Sequence, residues 1–283
     1  TGVHNDALII AGGANFPKTP VWEGGKKQWH NSVYVLSKDG SRKIWNTKEL
    51  KLPKALANGV SINTPNGVLC IGGDDADQVY KEVFLLKWNE EQKTIEIENL
   101  PPMPISLANM GAGLIGDMVY LVGGQESKGG NTTNNFLSFN LSSIIGREAY
   151  TWKIHKNFPG KDRMQAVVVG QSNGHQDCLY VFSGVSYDKD AEFTHEMLYD
   201  VHEYDPHKKL WTQKKSIPNN GTPGVQGGYL AAAPAIKMGD SHVIIFGGAG
   251  GEQQHLNERL RLGNVLKKLE HLANSDSLQN EID

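Results

Sequence analysis

Short runs of aliphatic and β-branched residues, each closed by glycine, recur along the chain. "ALIIAGG" ends at Gly13, "VLCIGG" at Gly73, "VYLVGG" at Gly124, "LYVFSG" at Gly184 and "HVIIFGG" at Gly248. Apolar runs of this length bounded by turn residues predict strands. Their return at intervals of 50 to 65 residues predicts an internal repeat. The flanking pattern returns as well. A polar loop follows each glycine phrase, then a second apolar run: "NSVYVL", "KEVFLL", "NNFLSFN" or "YDVHEYD". A third run follows, carrying Trp45, Trp152 or Trp211. Small-residue runs precede the glycines: "LANGVSI", "LANMGAGLI", "MQAVVVG" and "GGYLAAAPAI". Four short strands per unit are predicted, with turn residues between them.

A small antiparallel sheet of this kind cannot bury both faces alone. It must pack against its neighbours, and sheets repeated along a chain do so as blades around an axis. The predicted fold class is therefore all-β, a β-propeller, in preference to an ordinary β-sandwich. The glycine pairs are expected where inner strands converge, because glycine allows close backbone approach and a sharp exit from the second strand. The tryptophan-bearing runs are expected at the outer rim.

Composition fits this picture and narrows the function. Hydrophobic residues make up 39% and charged residues 21% of 283 residues, with 32 glycines and 12 prolines. That balance suits many short strands and turns. A net charge of −3 gives no basic footprint for nucleic acid. No apolar run reaches the ~18 residues of a membrane-spanning helix. The chain opens on Thr1 without a signal-peptide pattern, so a processed or trimmed chain is expected. The two cysteines, Cys70 and Cys178, fall in equivalent second strands of different units and are expected as buried thiols, not as a disulfide.

Candidate chemistry is sparse. His195 and His202 form no metal-ligand spacing, and His202 in "DVHEYD" is expected at a surface or between sheets. The acidic loop "DDAD", Asp74 to Asp77, reads as a solvated turn rather than a calcium loop. The glycine-rich "GGQESKGG" and "GGAGGEQQ" lack phosphate-binding spacing. "KDRMQA" stands out. It places Arg163 and Gln165 at the entry of a predicted inner strand, on one face by period-2 geometry. There Arg163 can meet a carboxylate through paired charge-assisted hydrogen bonds. Asn58 and Asn109 hold matching places in "LANG" and "LANM" and can present amides to hydroxyls, or cap inner strands.

The units resemble kelch repeats. In combined order, "AGGANFP" with "EGGKK", "IGGDD", "DRMQA", and "YDVHEYDPHKKLWTQ" followed by "IIFGGAGG" resemble the sialic-acid mutarotases, the N-acetylneuraminate epimerase family, over nearly the whole chain. The "AGGANFP" phrase stands first here, which resembles a cyclically permuted branch of that family. The resemblance implies a six-bladed kelch-type propeller. Phrases for about five blades are present, so one incomplete domain over 1–283 is expected. Its units are 1–51 (partial, lacking its innermost strand), 52–104, 105–159, 160–218 and 219–283. The last unit is partial and carries a helical excursion, because leucines from Leu256 to Leu272 follow helical spacing.

The resemblance also implies chemistry. Family members interconvert the α and β anomers of sialic acid by acid/base ring opening, without a metal or organic cofactor. Their general base is a glutamate in an "NGE"-type phrase, with an arginine six residues on. No such phrase occurs in this sequence, and Glu252 follows the wrong glycine pair, so the catalytic residue is unassigned. Arg163, Gln165, Asn58 and Asn109 are the expected substrate-facing groups. The implied partners are sialic acid or a related sugar acid and a second polypeptide that completes the ring. The implied location is periplasmic or secreted, with the cytoplasm as the alternative. Two other classes compete. A non-catalytic kelch interaction or carbohydrate-binding module would expose an apolar loop-tip patch, with Phe16, Trp22 and Tyr187 as candidates. A copper-radical oxidase would need a cysteine beside a copper-ligating tyrosine, which the core positions of the cysteines disfavour.

Overall fold

The computed structural model describes residues 1–20, 23–39, 42–145, 151–191, 194–217 and 230–248. Within them the chain is built from antiparallel sheets laid down in sequence order. The first pairs Gly2–His4, Ala7–Ala11, Ser32–Asp39 and Arg42–Trp45, with Leu50–Lys51 alongside Ser32–Asp39. The second runs Val60–Thr64, Gly67–Asp74, Val79–Asn89, Thr94–Leu100. The third runs Gly111–Ile115, Met118–Val122, Phe136–Asn140, Lys153–Ile154. The fourth runs Val167–Ser172, Asp177–Phe182, Val201–Asp205, Leu210–Lys214. A hairpin of Ala235–Met238 and His242–Ile245 forms the fifth in this order, two-stranded among the described residues. The expected four-strand unit is thus present in each of the first four repeats.

One expectation is corrected. The first unit does not lack its innermost strand: Gly2–His4 supplies it, joined to Ala7–Ala11 by the two-residue turn Asn5-Asp6. Both turn residues have positive φ, 48° and 57°. That is the hairpin geometry whose twist matches the flanking strands. The strand leaves little signal in the sequence because only Val3 in it is aliphatic. The helical excursion expected after Gly248 lies outside the described residues, as does Trp22.

Successive sheets pack face to face, and strand alternation assigns each residue to one neighbour or the other. In the second sheet Val68 packs toward the first, with Ile9, Val35 and Trp88. Leu69 and Ile71 pack toward the third, with Leu121, Leu137 and Phe139. In the third sheet Tyr120 and Val122 pack toward the fourth, with Val168, Leu179 and Val181. Covered on both faces, the inner strands read as continuous apolar runs rather than alternating ones. Cys70 and Cys178 are free thiols within these layers, and burial pushes the Cys70 thiol up to about 12.

The glycine pairs stitch one sheet to the next. Gly72 and Gly73 have φ of 56° and 105°, and Gly12-Gly13 and Gly123-Gly124 repeat the pattern. The second glycine of each pair donates its amide to a carbonyl of the following sheet. Gly13 reaches Leu56 at 2.7 Å, Gly73 reaches Leu107 at 2.8 Å and Gly124 reaches Arg163 at 2.8 Å. A Cβ on the first glycine would collide with that same carbonyl. In the fourth sheet Ser183 takes the first position at φ 54°. Its hydroxyl donates to the Leu198 carbonyl at 2.7 Å and accepts the Leu230 amide at 2.9 Å. Gly184 then bonds Leu230 at a longer 3.2 Å.

Candidate functional site

Just before the first strand of each sheet from the second onward, one residue sits in the left-handed region. These residues are Asn58, Asn109, Gln165 and Ala232, with φ between 53° and 59°. Their backbones form a chain across the sheets. The Asn109 amide donates to the Asn58 carbonyl at 2.7 Å, Gln165 to Asn109 at 2.7 Å, and Ala232 to Gln165 at 2.9 Å. The residue before each of the first three is locked to the residue after a glycine phrase by reciprocal amide–carbonyl bonds: Ala57 with Asp74, Ala108 with Gln125, Met164 with Val185. The repeat thereby delivers the side chains of Asn58, Asn109 and Gln165 to one end of the sheet stack. Asparagine and glutamine are the residues seen at three of these places, and asparagine tolerates left-handed backbone better than most residues.

A cleft of about 380 Å³ opens there, lined by Asn58, Asn109 and Gln165 together with side chains from the loops between second and third strands. Three of the four expected substrate-facing residues are therefore brought together. Asp74, which ends the second strand of the second sheet, organises the floor. Its Oδ1 accepts Asn58 Nδ2 at 2.8 Å and Trp29 Nε1 at 2.9 Å, and its Oδ2 pairs with Lys128 Nζ at 3.0 Å. Gln125 stands in the matching place one sheet on. It accepts Asn109 Nδ2 at 3.0 Å and donates to the Gly130 carbonyl at 2.6 Å. The Gln165 side-chain amide has no hydrogen-bond partner among the described residues.

Two lysines reach the cleft. Lys128 also donates to the Asp75 carbonyl at 2.7 Å and lies 4.3 Å from the centre of the Trp29 ring. Lys27 lies 5.0 Å from the same ring. Burial, above all, holds Lys27 below the ordinary lysine value; Asp74 draws it back up and Lys128 pushes it further down. Tyr187 and His195 close another side from the hairpin Val185–Tyr187 with His195–Met197, their rings 4.8 Å apart. The cleft offers amides for hydroxyls and positive charge for an acid, and the Trp29 indole backs its two lysines without lining it.

Arg163 is placed elsewhere. Its side chain is wholly buried, over the Phe158 ring at 4.7 Å. Nη1 and Nη2 grip Asp200 at 2.9 and 2.7 Å, Nη1 also reaches the Ser183 carbonyl at 2.9 Å, and Nε the Lys161 carbonyl at 2.9 Å. It does not line the cleft with Gln165. The period-2 expectation fails because Gln165 is left-handed and the strand begins only at Val167. His202, expected at a surface or between sheets, lies buried beside Phe158 and bonds Asp200 Oδ2 at 2.7 Å. Burial favours the neutral form of Asp200, but the bonds from His202 and Arg163 and the guanidinium charge outweigh it and hold this carboxyl well below the usual range.

Lys27, Trp29, Asp74, Gln125 and Lys128 were not singled out as site residues by sequence. The available signals were "EGGKKQW" and the position after each glycine pair. Of the three residues considered for a loop-tip patch, Tyr187 lines the cleft and Phe16 is 37% exposed.

The model of the N-acetylneuraminate epimerase family matches residues 100–262. The epimerase of Brucella suis is 39% identical over 108 residues, 35% of this chain and 26% of that protein. The epimerase of Vibrio cholerae is 35% identical over 107 residues, 34% of this chain and 26% of that protein. The aligned stretch thus spans about a quarter of the length of these relatives. A solved structure, "Structure of YjhT", superposes with a TM-score of 0.64 at 13% identity, covering 88% of this chain and 76% of that one. That likeness indicates a shared fold. The family match runs over more than half of the sequence, and the chain belongs to the N-acetylneuraminate epimerase family.

Proposed function

We propose that the cleft binds N-acetylneuraminate or a related sugar acid and that the chain serves interconversion of its anomers. The observation that carries this reading is the convergence of Asn58, Asn109 and Gln165, fixed by an inter-sheet backbone chain, on one cleft in a member of this family. In the reaction the anomeric hydroxyl loses a proton while the ring oxygen gains one. The ring opens, the C2 carbonyl rotates, and closure delivers the other anomer. The amides of Asn109 and Gln165 serve to hold ring hydroxyls. Asp74 has both oxygens engaged, which suits it to positioning Asn58 and Lys128 rather than to accepting a proton.

The proton acceptor, on this reading, is the family's glutamate, which lies in a phrase this sequence does not contain. We place the sheets as blades of a kelch-type propeller that another polypeptide segment completes. The apolar side chains left uncovered on the first sheet support that: Tyr34 is 59% and Trp45 50% exposed. Exchange between sialic-acid anomers, followed by NMR, tests the proposal. The chain alone is expected to bind the sugar acid without speeding exchange. Exchange is expected to accelerate when a segment carrying the "NGE" phrase is supplied. Equal acceleration by the chain alone would move the base to a carboxylate present here, and failure of the sugar acid to bind in either case would overturn the reading.

A further inference from the structure

Two ammonium groups and one carboxylate meet at the Trp29 indole: Lys27, Lys128 and Asp74. Their charges sum to one uncompensated positive charge. The two lysines are not equivalent. Lys128 is committed to Asp74 Oδ2 and to the Asp75 carbonyl. Lys27, half-buried in the same cleft, makes no hydrogen bond or ion pair among the described residues. A partly desolvated ammonium that meets only an aromatic face is costly, and a carboxylate arriving beside it recovers that cost through charge-assisted hydrogen bonds. The indole that both lysines approach is held by its own bond to Asp74 at 2.9 Å, so it is fixed before any ligand arrives. One unspent charge fits a singly charged acid better than a phosphate. Tyr187 and His195 face the cleft from the opposite hairpin, and neither is a carboxylate.

We propose that Lys27 is the carboxylate anchor of the cleft and sets its preference for acidic over neutral sugars, with Lys128 and Asp74 as its fixed support. This deepens the sugar-acid reading and rests on it, but the two are separable. The lowered Lys27 value agrees with the geometry, since a cation kept under strain by burial gains most from an incoming anion.

Binding of N-acetylneuraminate, its methyl ester and glucuronate is measured by calorimetry for the unaltered chain, Lys27→Met and Lys27→Arg. The unaltered chain is expected to bind N-acetylneuraminate about tenfold more tightly than the ester, which corresponds to ~1.4 kcal/mol. Lys27→Met is expected to erase that preference by weakening the acid alone, and Lys27→Arg to keep most of it. A preference that survives Lys27→Met, or an equal loss for acid and ester, overturns the anchor. So does an unaltered chain that binds acid and ester alike, or no sugar acid at all; these arms need no variant to fold. Lys27-dependent binding of glucuronate without binding of N-acetylneuraminate upholds the anchor and refutes the sialic-acid reading.

Discussion

Arg163 holds the third and fourth sheets together at a single point. Its guanidinium is spent on Asp200 and on two carbonyls, and Phe158 covers its face. Removing it leaves the Asp200 carboxylate with His202 as its remaining side-chain partner among the described residues. Arg163→Ala is expected to cost about 3 kcal/mol in denaturant unfolding, at the low end for a broken buried pair because Asp200 keeps some solvent contact. Arg163→Lys should recover little, since an ammonium cannot make the bidentate contact. Asp200 also sets a pH dependence. Its folded-state pKa is depressed, so its contribution is fully present above the unfolded carboxylate value of ~3.9 and is lost as pH falls below it. Asp200→Asn should therefore flatten the acid limb of the stability curve while lowering stability at pH 7; an unchanged acid limb would refute this. "DRMQA" was legible as a motif, yet the two side chains it aligns by period 2 part company in space. A left-handed residue at Gln165 ends the alternation, and nothing in a side-chain pattern announces a positive φ at glutamine.

The glycine phrases act as whole elements, and a matched pair of substitutions separates their two roles. Gly72 and Gly116 have nearly the same φ, 56° and 55°. A Cβ at Gly116 would meet open space, whereas one at Gly72 would strike the Leu107 carbonyl of the next sheet. Gly116→Ala should therefore cost only the left-handed penalty of ~1–2 kcal/mol. Gly72→Ala should cost clearly more, because the sheet-to-sheet bond from Gly73 must also give way. Equal losses in thermal or chemical unfolding would mean that the close approach is unimportant. This is why the phrases were legible: steric exclusion at the contact leaves glycine almost alone, and it leaves a mark in sequence. Ser183 is the instructive departure, because its hydroxyl makes the inter-sheet bond itself. The side-chain cleft left a weaker mark. Asn58 and Asn109 share a phrase, but Gln165 and Ala232 occupy the same backbone place with different side chains. Lys27 and Trp29 come from a loop whose length is not repeated, so only folding brings them beside Asp74.

At the scale of the molecule, the second, third and fourth sheets each pack against the sheet before and the sheet after, so stability should be coupled between adjacent sheets and fade with distance along the stack. Leu121 and Val181 test this from opposite sides. Leu121, fully buried, packs with the second sheet through Leu69, Ile71 and Leu85. Val181, equally buried, belongs to the layer joining the third and fourth sheets with Tyr120, Phe136 and Leu179. Leu121→Ala should cost ~2–5 kcal/mol through the lost contacts and the cavity left behind. Native-state hydrogen exchange should then quicken in the strands Gly67–Asp74, Val79–Asn89 and Met118–Val122, with little change in Val201–Asp205. Val181→Ala should do the reverse, loosening the third and fourth sheets and sparing Ala7–Ala11. The inter-sheet chain through Asn58, Asn109, Gln165 and Ala232 predicts one refinement. The amides of Asn109 and Gln165, which donate across sheets, should respond to a substitution on either side of their own interface. If either substitution instead quickened exchange uniformly from the first sheet to the fifth, the sheets would be unfolding as one cooperative body. The neighbour-by-neighbour account would then fail, and the first and last sheets would have to be coupled through contacts beyond those between consecutive sheets, as ring closure would provide.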